Sequence, residues 1–144
     1  MNIKVVYHSS SGNTKKVAQA IAAAAKVSAE EIVPGFNLSQ PVDLLFIGDG
    51  IYAGKMNKRT KAFLDALDGS LVKNAAVFGT YGGQDKVIAD ITALLKGKGI
   101  NVCAESFVCK GQAWLFANRK HPNEHDLDGA TKFGNDIIKL MENG

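Results

Sequence analysis

Hydroxyl side chains crowd one short stretch of the chain: Ser9, Ser10, Ser11 and Thr14, with Gly12 and Asn13 among them. Before it, Ile3-Lys4-Val5-Val6-Tyr7 has the apolar run of a strand at the centre of a sheet. After it, Val17, Ala18, Ile21, Ala22 and Ala25 recur on one helical face. A strand turning through such a loop into a helix presents unpaired backbone N–H groups and the positive end of the helix dipole. A phosphate group suits that position. The loop adds hydroxyl and amide donors, and no lysine occurs in it before Lys15. Its chemistry is neutral donors wrapped around a phosphomonoester.

Two glycine-rich stretches follow later apolar runs: Gly48-Asp49-Gly50-Ile51-Tyr52-Ala53-Gly54-Lys55 and Gly79-Thr80-Tyr81-Gly82-Gly83-Gln84. Both are expected as loops on the rim of the same crevice. Glycine lets backbone approach a flat ligand closely, and an aromatic ring can stack on its face. Tyr52 is the expected stacking residue, whereas Tyr81 either stacks or caps the core. Gly50 is the residue best able to flip its peptide and offer a carbonyl to such a ligand.

Other residues invite chemistry less strongly. Lys55, Lys58, Arg59 and Lys61 form a basic run, read either as a solvated helix face or as a surface for acidic partners. His121, Glu124, His125 and Asp126 suggest a metal, but no closing ligand set is visible, and Pro122 with the acids fits a helix start. No metal is expected. His8 is expected to face solvent. Trp114 and Phe116 either shield the crevice or cover the core. Cys103 fits a sheet face, and nothing near Cys109 argues for an activated thiol.

The elements that must position these groups follow from periodicity. Strands are expected at Ile3 to Tyr7, Glu31 to Val33, Leu44 to Gly48, Ala75 to Gly79 and Asn101 to Val108. Helices are expected at Thr14 to Ala25, Lys58 to Leu67, Asp85 to Lys96 and Asp126 to Met141. Alternating strands and helices imply a parallel α/β sheet with helices on both faces. The 144 residues, 46% hydrophobic and 22% charged, suit one domain spanning 1–144. A net charge of +3, scattered along the chain, does not argue for nucleic acid. No apolar run has the length of a membrane span, and the chain enters its first strand at once. A cytoplasmic protein with reduced thiols is expected.

Val5, Val6, Tyr7, Ser9, Gly12, Thr14, Ala18 and Ile21 also fill a pattern that resembles the FMN phosphate loop of flavodoxins. The resemblance implies a doubly wound five-stranded parallel sheet in the order 2-1-3-4-5, with ligands above the carboxyl ends of its strands. It implies a monomeric electron-transfer protein that binds one FMN and shuttles electrons between redox partners. Ser9, Ser10, Ser11, Gly12, Asn13 and Thr14 would hold the phosphate. Gly50, Ile51, Tyr52, Ala53 and Gly54 would cover one side of the ring, and Thr80, Tyr81, Gly82 and Gly83 the other edge. The chain departs from the family in its Ser11, where threonine is usual, in its basic balance, and in lacking the common aspartate-tyrosine arrangement around Tyr81. Partners with acidic docking surfaces are therefore expected.

Rival readings share the fold. Ile47 to Leu64 is similar to small flavodoxin-domain oxidoreductases related to menaquinone-dependent protoporphyrinogen oxidase, and a quinone or flavin reductase is a further alternative. A receiver-type signalling domain would use Asp49, Thr80 and Lys110. It also needs carboxylates for a divalent cation after the first strand, where this chain has His8-Ser9-Ser10.

Overall fold

The computed structural model describes residues 1–10, 12–51, 55–81, 86–110 and 123–143. In chain order the elements are β1 (Ile3–Tyr7), α1 (Asn13–Ala25), β2 (Ala29–Glu31), β3 (Val42–Ile51) and α2 (Lys58–Ala66). A 3-10 turn (Gly69–Leu71), β4 (Val72–Tyr81), α3 (Lys86–Gly97), β5 (Asn101–Val102), β6 (Phe107–Lys110) and α4 (Glu124–Asn143) follow. The strands are parallel in the order β2-β1-β3-β4-β5, and β6 also pairs with β4. This is the expected doubly wound order.

Two apolar clusters cover the two faces of the sheet. On one, Val6, Leu45, Ile47 and Val77 meet Phe63 and Leu64 of α2 and Val87, Ile91 and Leu95 of α3. On the other, Val5, Tyr7, Phe46 and Phe78 meet Val17 and Ile21 of α1 and Phe133 and Ile137 of α4. Strand residues alternate between the clusters because successive side chains point to opposite faces. Burying such a side chain contributes about 1.5–3 kcal/mol, so both faces need their helices. Gly134 lets α4 close on α1, because a Cβ there would already touch Ala24 and Ile21.

Several boundaries differ from the sequence expectation, for physical reasons. β2 ends at Glu31, because the Val33 N–H turns back to the Glu31 carbonyl (3.0 Å). The fifth strand is split: four residues, 103–106, stand where β4 has two, Ala76 and Val77. Such a bulge is tolerated at a sheet edge, where one side of the strand has no partner to keep in register. In α2 the buried face carries Thr60, Phe63 and Leu64, and Ala62 is exposed. β3 and β4 each run ten residues, so their ends reach further than the apolar runs suggest.

Candidate functional site

At the carboxyl end of β1 the chain leaves the sheet and enters α1 through Gly12, which has φ +90°. That left-handed backbone favours glycine. The Gly12 N–H donates to Ser9 Oγ (3.0 Å), which folds the loop on itself. The N-cap is Gly12, which has no side chain to offer, so among the described residues no side chain caps α1, and its first turn carries no acid. Asn13 is buried, and among the described residues its amide Nδ2 has no hydrogen-bond partner. A buried, unpartnered donor costs free energy unless something accepts from it. An uncapped helix start with an orphaned amide donor fits an anion that supplies acceptor oxygens.

Thr14, also buried, is bonded through its hydroxyl to Thr80 Oγ1 of β4 (2.8 Å). Ser9 is half-buried and Ser10 exposed. Gly50 and Thr80 are buried and face each other in the β3–β4 ladder, followed by the Ile51–Tyr81 pair. These four residues, expected in loops, are the last rungs of the sheet. Gly50 has no positive φ, and a peptide flip there would have to break its rung. Ser11, Tyr52, Ala53, Gly54, Gly82 and Gly83 lie outside the described residues, as do Trp114, Phe116 and His121.

The structure corrects the expectation for His8, which is buried rather than solvent-facing. Its N–H donates to the Gly48 carbonyl (3.1 Å), continuing the β1–β3 pairing by one residue. Its Nδ1 lies 3.3 Å from Asp49 Oδ1, and the Asn57 N–H donates to Asp49 Oδ2 (2.8 Å). Burial pushes the Asp49 carboxyl above its ordinary range; the Asn57 N–H, the neighbouring Thr60 hydroxyl and His8 pull it back only in part. The Thr60 hydroxyl is buried beside this group without a well-formed hydrogen bond. Asp49, 1% exposed and engaged at both oxygens, is no phosphoacceptor. Sequence reasoning missed this group, although the signal was present. His8 shares strand parity with Val6, and Asp49 with Ile47, which places both on the face covered by α2.

Beside the end of β3, Lys55, Met56, Asn57, Lys58, Arg59 and Gly50 line a cavity of about 440 Å³. Lys55, Lys58 and Arg59 are exposed, whereas Lys61 turns to Asp65 one helical turn on (2.7 Å). Cys109 is buried under α4's face of the sheet, which pushes its thiol up to about 12, so it is not activated. Asn123 and Asp126 cap the start of α4 reciprocally. Among the described residues no cluster of metal-ligating side chains occurs, and no helix is long and apolar enough to cross a membrane.

A parallel sheet in this order, with a phosphate-type loop after its first strand, defines a flavodoxin-fold α/β protein. The chain matches the flavodoxin domain family over residues 4–115, and it belongs to that family. An uncharacterised protein of Methanocaldococcus jannaschii is 32% identical over 94% of this chain and 95% of its own length. Among solved structures, a flavodoxin from the domain Archaea superposes with a TM-score of 0.78 at 22% identity, over 99% of both chains. A flavodoxin, WrbA-like protein from Agrobacterium tumefaciens superposes with a TM-score of 0.77 at 19% identity, over 99% of this chain and 98% of that one. Family membership implies FMN as the cofactor, and the uncapped, donor-rich start of α1 fits its phosphate.

Proposed function

We propose that the protein is an FMN-binding electron carrier of the flavodoxin type. The observation that carries this reading is the buried, unpartnered Asn13 amide at an uncapped helix start. It needs an acceptor, and a phosphomonoester supplies one. Bound FMN supplies one- and two-electron redox chemistry.

The chain's own residues bind and orient. Backbone N–H groups of the first turn of α1, with Ser9, Ser10, Ser11, Asn13 and Thr14, hold the phosphate without a positive charge. Gly50 to Gly54 and Thr80 to Gly83 flank the ring from the ends of β3 and β4. Nothing in this role requires a general acid, base or nucleophile. The exposed Lys55, Lys58 and Arg59 give the rim beside the ring a positive field, which suits redox partners with acidic surfaces. Reduction by such a partner slows as ionic strength rises, because exposed charges are screened beyond about 10 Å in 0.1 M salt.

Titrating apoprotein into FMN, riboflavin and FAD and following flavin fluorescence tests the reading. Tight FMN binding with much weaker riboflavin binding supports it. Equal affinities for the two would overturn it. Replacing Ser9 and Thr14 together with alanine should weaken FMN by roughly 10–100-fold, as expected for hydrogen bonds to a charged group, while changing riboflavin little.

A further inference from the structure

We propose that Asp49, braced by His8, is a positioning residue that clamps the segment between β3 and α2 and ties it to the root of the phosphate loop. The proposal rests on the FMN-carrier reading, because residues 50–54 of that segment are the ones assigned to the ring. The geometry is that of one buried carboxylate with two engaged oxygens. Oδ2 accepts the Asn57 N–H, which ties the entry to α2 back to the end of β3. Asn57 also caps α2, its side chain accepting the Arg59 N–H (2.9 Å). The same carboxylate therefore decides where α2 begins. Oδ1 faces Nδ1 of His8, the residue next to Ser9. The one carboxylate thus joins the end of β1 to the start of α2.

The pair is costly to bury without mutual compensation, since an unpaired interior charge is strongly unfavourable. His8 is the titratable group that acts on Asp49, and Asn57 and Thr60, which face it from α2, are neutral. From β4, the residue opposite Asp49 is Gly79. Glu31, on β2 beyond β1, acts on Tyr7 instead.

The test begins with apoprotein and trypsin, which reads the tether without any flavin. Cleavage after Lys55, Lys58 or Arg59 should be roughly tenfold faster in Asp49→Ala than in the wild type, the factor expected from losing about one hydrogen bond to a charged group. Cleavage after Lys132, in α4, should not change. Asn57→Pro keeps the backbone angle, since Asn57 has φ −65°, and deletes the N–H. Asn57→Ala keeps the N–H and loses only the cap. Faster cleavage in the proline variant than in the alanine variant supports the clamp even where Asp49→Ala does not fold, and equal rates overturn it.

FMN affinity then tests the role of His8. His8→Gln should weaken FMN by roughly tenfold, about the loss of one hydrogen bond to a charged group, because Asp49 Oδ1 loses its ring partner. In an Asp49→Ala background, His8→Gln should have no further effect, because the two act through one contact. Additive effects, or an FMN affinity unchanged in His8→Gln, would overturn the pairing. Failure of the wild type to bind FMN would sink the carrier reading alone, and the protease comparison would still decide the clamp.

Discussion

Thr14 at the start of α1 and Thr80 near the end of β4, 66 residues apart in sequence, share a buried hydroxyl–hydroxyl hydrogen bond of 2.8 Å. It joins the start of α1 to the carboxyl end of β4. Either oxygen can donate, so one hydroxyl proton of the pair remains for a ligand. His8 and Asp49 make the matching link on the opposite face of the sheet. Two polar bridges thus hold the carboxyl edge from both sides.

Thr80→Val deletes one side of the first bridge without much change in volume. It should cost about 1–3 kcal/mol, because the Thr14 hydroxyl is left buried without its partner. Urea unfolding of the single and double valine variants checks this, and the double variant should cost less than the sum of the singles.

Gly48 lies under the ring of Phe78, and a Cβ on it would overlap that ring. Gly48→Ala should destabilise the fold by about 1–3 kcal/mol, the range for overpacking a filled core. Adding Phe78→Leu should recover part of the loss. Thermal unfolding of the two variants tests the pairing, and a neutral Gly48→Ala would refute it.

Helix α1 ends at Lys26, a non-glycine residue at φ +60° whose N–H closes the helix onto the Ala22 and Ala23 carbonyls. Lysine is strained there and glycine is not. Lys26→Gly should stabilise the protein by about 1 kcal/mol, measured by denaturant midpoint.

Cys109 gives a pH prediction. Its folded thiol is raised from 9.0 to about 12, so the group binds its proton more tightly in the folded than in the unfolded chain. The associated stability is complete below the ordinary thiol value and is lost as pH climbs through the folded one. At about pH 8, a disulfide reagent should label half-buried Cys103 first and reach Cys109 only on unfolding. Rapid labelling of both in the native protein would contradict the burial.

The sequence by itself determined what depends on neighbours along the chain. The apolar runs marked the strands of both faces, because a strand buried on two sides must be apolar throughout. The loop from Ser9 to Thr14 was legible because a strand, a glycine and a helix start are adjacent in sequence. The capped start of α4 was legible in the same way from its acids. Only the tertiary structure decided what depends on alignment between distant segments. The register of β3 against β4 turned Gly50, Ile51, Thr80 and Tyr81 from loop into ladder. The edge position of the fifth strand allowed its bulge. Packing of α2 over the ends of β1 and β3 buried His8 against Asp49, 41 residues away. A polar side chain on a strand end reads as solvent-facing until the helix that covers it is known, since burial is a property of the whole packed sheet.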